Sequence, residues 1–430
     1  MEAPKYFFLC ITVALAYYIW GVCNALLAPF FPMEAESKGA STSYSGFVFG
    51  VYSLAAFIFS PIFGKYGVKI SPKYIYIIGA LTQAVCTLAF GTLHYIDNVR
   101  LFLALSYLIR ILSGMANAAS FGSLLAALMS LFPNSVSKIN AATELFCGIG
   151  YMVGPALGGW LYVSGGFTLP FLISGMVALV AAIMLIFAIP HVKPPDQERQ
   201  DGTKLGFSDL LKIPSVLLPL VGTFVSDFGF GMVEAMIALH FDSIGGETSV
   251  ISAAFFISGG CYLISTTIAG IVTDKAQHPT IVSICGNVFL VIALTLIGPL
   301  PFIEYATKES MITLSFALMG FGQGLVCVSS LTRAQVFATR NGFPGSLQTY
   351  NLLSGLWLSF NFLGSFLGPS VGGVLVSLWG FRYTTALYWI LQLIVLIADS
   401  IELTYYCKSR IISVTNISNC EILIHITQTT

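Results

Sequence analysis

The chain has 430 residues, of which 56% are hydrophobic and only 9% charged, with 34 Phe and a mean hydropathy of +0.86. That is far more apolar surface than soluble domains can hide, and it points to an integral, multi-pass, all-α protein of the lipid bilayer. A formal net charge of zero and a pI near 6.9 give neither the basic field of a nucleic-acid binder nor the acidic bias of a disordered tail.

Apolar runs of about 20 residues bounded by charges, Gly/Pro clusters or polar loops predict twelve spans. They fall near 6–31, 44–64, 74–93, 101–131, 140–163, 167–189, 214–240, 249–272, 280–303, 311–336, 346–378 and 383–407. Lys5 precedes the first run and no small-residue cleavage site follows it, so this segment reads as a retained span and not a removable signal. The longest polar stretch, "HVKPPDQERQDGTKLGFSDLLK", lies between spans six and seven. It divides the chain into a six-helix half (1–190), a cytoplasmic connector (191–213), a second six-helix half (214–407) and a cytoplasmic tail (408–430).

Lys and Arg in the loops set the orientation. With a cytoplasmic N-terminus, that side holds fourteen: Lys5, Lys65, Lys69, Lys73, Lys138, Lys193, Arg199, Lys204, Lys212, Lys275, Arg333, Arg340, Lys408 and Arg410. The other side holds four, Lys38, Arg100, Lys308 and Arg382, and Arg110 stays inside a span. Both termini are then cytosolic, and the sequon Asn416-Ile417-Ser418 is out of reach of glycosylation. The nine cysteines are scattered singly through apolar runs, which suits helix packing and not a metal site or disulfide framework.

Span five contains "GYMVGPALGG", four glycines and a proline in a helix that should tolerate neither, since Gly costs roughly 1 and Pro about 3 kcal/mol in a water-exposed helix. Gly150, Gly154 and Gly158 are four apart and share one stripe. Bare backbone there lets a neighbouring helix approach closely, the usual contact surface in lipid, and Pro155 bends a helix whose neighbours cover the defect. The stretch recurs 214 residues later as "GSFLGPSVGG" in span eleven, with Gly364, Gly368, Pro369 and Gly372. A weaker pair, "GKYGVKISPK" after span two and "GIVTDK" after span eight, supports the same parallel six-helix repeat. Such a layout places a substrate site near the midplane between the halves.

Charges inside the spans are the candidates for that site, because a bare carboxylate at the bilayer centre costs several kcal/mol and must face a cavity, a cation or a proton. Three acids stand out: Glu144 at the start of the span-five motif, and Asp227 and Glu234 in "SDFGFGMVEAM" of span seven, about two turns apart on one face. Arg110 could pair with one of them, or anchor a helix end; Arg333 reads as the cytoplasmic end of span ten. Tyr17, Tyr18, Trp20, Trp357 and Phe360 offer faces to a cation or packing surface, and Asn24, Gln323, Gln335 and Asn361 offer polar contacts.

These motifs resemble the major facilitator superfamily along nearly the whole chain. "GxxxGPxxGG" is similar to the antiporter signature of span five, Arg110 with Gly114 in "RILSGMANAA" to the span-four Arg motif, and Gly270, Asp274 and Lys275 in "GIVTDK" to the gating loop signature. The first-half copy of that loop departs from it, with Val68 for the acid and Ser71 for a Gly. "LLAPFFPMEAESKGAS" and "TRNGFPGSLQTYNLLSG" resemble the vesicular polyamine transporter branch of the vesicular amine transporter family. The resemblance implies the twelve-helix major facilitator fold and exchange of an organic cation for protons across an acidified endomembrane, or else the plasma membrane, by a monomer without cofactor or metal. It makes Glu234 in "MVEA" the span-seven acid, with Ala235 for the usual Pro. Acids that monoamine members carry in spans one and eleven are Trp20 and Leu358 here, while Glu144 supplies an acid eleven residues before Pro155, in the other half of the repeat.

A secondary active transporter of an amine is therefore the leading expectation, with small-molecule cation and protons as partners. A uniporter or anion carrier of the same fold would favour cavity arginines over carboxylates. A non-transporting sensor is the third reading. An enzyme is not expected: there is no His-rich or Glu-x-x-His pattern, no serine elbow and no nucleotide-binding loop, and the five His include His191, His278 and His425 outside the spans.

Overall fold

The computed structural model describes residues 3–27, 30–40, 42–70, 72–189, 206–243, 248–275, 278–298, 300–301, 303 and 308–428. Most of the polar connector falls outside these residues. The described chain is helical, with α1 (Ala3–Ala25), α2 (Phe31–Ser37), α3 (Thr42–Ile70), α4 (Pro72–Thr92), α5 (Val99–Leu131), α6 (Val136–Gly165) and α7 (Thr168–Ala188) in the first part. The second part comprises α8 (Phe207–Leu211), α9 (Pro214–Ser243), α10 (Thr248–Lys275), α11 (Thr280–Ile297), α12 (Glu309–Arg340) and α13 (Leu347–Gln428). In lipid each backbone donor must be met within its own segment, which leaves helices as the only open-chain solution. Their ends follow local chemistry: Pro72 and Pro214 open α4 and α9, and the Asn98 side chain caps α5 by accepting from the N–H groups of Arg100 (3.0 Å) and Leu101 (3.2 Å).

Eleven helical stretches among the described residues are long and apolar enough to cross a membrane. The last, within α13, is broken at Gly380 (φ 78°, ψ 165°), so that it holds the two final spans of the expected twelve. Gly166, at the matching place after α6, has nearly the same backbone (φ 71°, ψ −167°). Both sit in the left-handed region of φ, where a side chain is strained, and both turn the chain between the last two helices of a half. Helical backbone continues beyond 407 to Gln428, through the segment expected as a cytoplasmic tail.

The glycine repeat is reproduced contact for contact. Gly150, Gly154 and Gly158 of α6 lie against Tyr18 and Val22 of α1 and Leu26 just past its end; Gly364, Gly368 and Gly372 of α13 lie against Phe224, Phe228 and Met232 of α9. A Cβ on Gly150 would run into the Tyr18 carbonyl oxygen and one on Gly368 into that of Phe228, whereas one on Gly154 would meet the Ala25 methyl at 3.1 Å. The stripe therefore clamps helices within each half.

Between the halves run two antiparallel seams. In the first, α6 meets α10: Gly270 packs on Ala141, and Gly148 on Leu263. In the second, α13 meets α3: Gly64 packs on the Asn351 carbonyl (2.7 Å to an added Cβ) and Gly355 on that of Ser60 (2.8 Å), while the Ser359 hydroxyl donates to the Phe57 carbonyl at 3.1 Å. Both seams are closed at the end that carries Lys65, Lys73, Lys138, Lys275 and Arg340, here called the basic end. A buried cluster that crosses the halves, with Tyr17, Trp20, Phe121 and Cys147 from one and Cys327, Leu331, Leu353 and Trp357 from the other, fills this region. Toward the opposite end the first seam parts, since Tyr151 is 45% exposed and a Cβ on Gly259 or Gly260 would meet nothing within 4 Å.

Candidate functional site

Just inside the closed part of the first seam, polar side chains of four helices converge. Glu144 of α6 accepts a hydrogen bond from the Tyr262 hydroxyl of α10 (Oε2 to OH 2.8 Å), and that hydroxyl also lies 3.6 Å from the Cys327 sulfur of α12. One turn along α12, Gln323 donates to Asp227 of α9 (Nε2 to Oδ1 2.6 Å). Residues 323 and 327 share a helix face, so α12 joins the two carboxylate contacts into one chain that runs from the first half into the second. Glu144, Tyr262, Gln323 and Asp227 are each half-buried. Asp227 Oδ2 and Gln323 Oε1 have no hydrogen-bond partner, so the chain has acceptors left for a cation or a proton. Aromatic faces flank it: Tyr17 packs edge-on to Trp20 (5.4 Å) and Phe121 (4.7 Å).

Glu234, two turns from Asp227, is placed differently. It is exposed and has no hydrogen bond or ion pair among the described residues. The shared face read from the sequence thus splits into an inner acid held by Gln323 and an outer, unengaged one.

Arg110 corrects a further expectation. It is 7% exposed, lies over the Tyr52 ring (4.3 Å) and donates to the Val48 carbonyl (3.4 Å), and no carboxylate among the described residues is within 4 Å of it. The Tyr52 hydroxyl is held in turn by Asn117. Arg333 does not mark a helix end. It is 1% exposed and makes a two-pronged pair with Asp399 (2.9 Å from each terminal nitrogen) and a third contact with Glu402 (2.7 Å). Ser283, Asn287 and Gln392 complete a network inside the second half. Asp399 offered the same signal as the other intramembrane acids, a carboxyl well inside the last predicted span, and belongs with them. Tyr262 and Cys327 had no such signal, because a tyrosine or cysteine in an apolar helix is commonplace.

At the basic end Asp274 of α10 accepts from the backbone N–H groups of Ser137 (3.0 Å) and Lys138 (3.3 Å), with the Lys138 ammonium at 3.9 Å. These amides belong to the first turn of α6, where no helical acceptor exists, so an acid from the other half caps the helix and meets its positive end. Gly270 allows the approach, and Lys275 is exposed. A polar cavity of about 230 Å³, bordered by Asp274, Thr332, Gln335 and Arg340, lies beside this lock.

Comparison with known proteins places the chain. A family model described as Major Facilitator Superfamily matches residues 9–349. Among curated proteins, the human MFS-type transporter SLC18B1 is 29% identical over 373 residues, covering 85% of this chain and 79% of that protein. Its mouse counterpart is 30% identical over 368 residues, at 84% and 79% coverage. The multidrug resistance protein MdtG of Citrobacter koseri is 26% identical over 387 residues, covering 86% and 89%. Among solved structures, the human organic anion transporter MFSD10 (TETRAN) superposes with a TM-score of 0.73 at 17% identity, covering 93% of this chain and all of that one. The proton:xylose symporter XylE gives 0.69 at 15% identity, covering 92% and 95%.

Proposed function

The chain belongs to the major facilitator superfamily, and we propose that it is a proton-coupled antiporter of an organic cation, a polyamine or related amine, working by alternating access in an acidified endomembrane. The observation that carries this reading is the chain of side chains linking Glu144 of one half to Asp227 of the other through Tyr262, Cys327 and Gln323. A carboxylate held in this setting is costly when bare, so a proton or an ammonium group must neutralise it, and the two compete for the same oxygens. That competition is the coupling. Two acids set on opposite halves also favour a substrate with more than one cationic nitrogen, because each half then holds one end. Glu234 serves as the outer carboxylate that first meets the cation, and the Asp274 lock closes the basic, cytosolic end behind it.

The test is proton flux in liposomes holding the purified protein, started by spermidine on one side and read with a pH-sensitive dye. Spermidine-driven flux is expected in the native protein, and Glu144→Gln or Asp227→Asn should lower it by roughly a hundredfold, because each removes a carboxylate on which proton and cation compete. A native protein that carries spermidine without moving protons would refute antiport. One observation favours a second reading: Arg110 is a buried cation with no carboxylate beside it among the described residues. If organic anions drive flux in place of spermidine, and Arg110→Gln abolishes it, the chain is an anion carrier.

A further inference from the structure

Tyr262 is the one described side chain that crosses the first seam to bond an intramembrane acid of the opposite half. We propose that it is a positioning residue that reports the charge of Glu144 to the second half, holding the basic end shut while Glu144 is bare and releasing it once a proton or an ammonium group takes the carboxylate. This rests on the antiport reading, which needs such a device: obligatory exchange requires that an empty carrier not reorient.

The physical basis is the difference between two hydrogen bonds. A phenol donating to a carboxylate makes a charge-assisted bond, about twice as strong as one to a neutral acceptor. Glu144 is presented to Tyr262 at 2.8 Å, in the closed part of the seam between Gly148–Leu263 on one side and Ala141–Gly270 on the other. Separation of α6 from α10 cannot occur without breaking this bond. The same helices carry the lock one end further on, where Asp274 caps Ser137 and Lys138. Neutralising Glu144 weakens the grip on α10 and thereby the lock.

The groups that face Glu144 are few. They are Tyr17 from α1, Tyr262 from α10, Cys327 from α12 and Asp227 from α9, with Cys147 and Tyr151 on its own helix. α7 contains no ionisable residue, and the buried cation of α5, Arg110, is turned to Tyr52. No fixed positive charge among these groups would hold Glu144 anionic in the absence of the Tyr262 bond. The repeat supplies an internal control: in the second seam the residue matching Glu144 is Leu358 and the one matching Tyr262 is Ala56, so only the first seam has the device.

Hydrogen exchange at Ser137 and Lys138 reads the outcome, because in the closed state Asp274 is the acceptor these amides have. In the purified protein in nanodiscs, lowering the pH from 7.5 to 5.5, or adding spermidine at pH 7.5, should reduce their protection about tenfold after correction for intrinsic rates. Tyr262→Phe should start at the low value and respond to neither. Glu144→Gln, which tests the bond from the other side and keeps the proposal open to refutation if the phenylalanine variant does not fold, should behave the same way. Protection in either variant that follows pH and spermidine as in the native protein would overturn the role of Tyr262, and spermidine-driven proton flux would then still stand. If instead native protection responds to pH and is lost in Tyr262→Phe, but spermidine drives no proton flux, the antiport reading fails and the Tyr262 device survives as a pH latch.

Discussion

The two seams are copies of one design and have come apart chemically. Each joins the fifth helix of one half to the second helix of the other, and each relies on glycines that bring backbone against side chain or carbonyl. The first seam holds ionisable contacts at two levels, Asp274 on the start of α6 and Glu144 on Tyr262. In the second, the helix-end position matching Asp274 is Val68, the Glu144 position is Leu358, and the bonds are those of neutral hydroxyls such as Ser359. Asn351, at the place matching Ser137, is 1% exposed and both its side-chain polar atoms lack a partner. A seam with charge can be worked by protons and cations; a seam without it can only fit or not fit.

The comparison breaks most completely if either seam is wedged open. Gly270→Leu in the first and Gly355→Leu in the second each force a branched side chain into a contact with no room, at about 3 kcal/mol or more. Spermidine-driven flux should fall by roughly a hundredfold in both, with monodisperse protein by size-exclusion chromatography, since each half keeps its own clamps. Wild-type flux in either variant would show that the seams do not need to close. Next in size is Asp399→Asn, which leaves buried Arg333 with Glu402 as its one carboxylate partner among the described residues, beside the neutral Ser283 hydroxyl. Loss of one partner from a buried ion pair costs about 3 kcal/mol, so the thermal midpoint should drop by several degrees. The pH response of Ser137 exchange should survive, because this network lies within the second half and touches neither seam. Smaller again is Ser359→Ala, worth about 1 kcal/mol for a neutral hydrogen bond. Its effect on closure should be the same at pH 5.5 and 7.5, and a pH-dependent effect would remove the contrast between the seams.

Much of this was legible from residue order because the signals were periodic. Glycines four apart, repeated 214 residues on, placed the clamps and the parallel repeat, and the GIVTDK loop pointed to Asp274. The acids were visible as charges in apolar runs, but their ranking was not. Whether Asp227 or Glu234 turns inward depends on where α12 puts Gln323, which no local pattern encodes. Pairing failed for the same reason: residue order puts Arg110 inside span four and Arg333 at the end of span ten, and only packing shows that Arg110 meets a ring and a carbonyl while Arg333 meets two carboxylates. Tyr262 was invisible because its role comes from the helix it reaches and not from its type.

The smallest expected effect concerns His278, whose behaviour must be separated from that of Glu144 for the pH contrast to hold. His278 joins α10 to α11 outside the spans, 3% exposed, with its ring 4.1 Å from that of Tyr406 and its Nε2 3.5 Å from Arg340. Burial first, then the charges of Arg340 and Arg333, push it down from 6.5 to about 4. The folded protein therefore holds this ring neutral between those values while the unfolded chain takes up a proton. The contribution is present above pH 6.5 and is lost as pH falls toward 4. Thermal midpoints of the native protein should decline over that window, and His278→Gln, which cannot be protonated, should decline less. The exchange of Ser137 and Lys138 should keep its response between pH 7.5 and 5.5 in this variant, because an imidazole held near 4 stays uncharged in the folded state across that range. If His278→Gln flattens the exchange response instead, the pH sensor of the first seam is the histidine beside the lock and not the carboxylate at its centre.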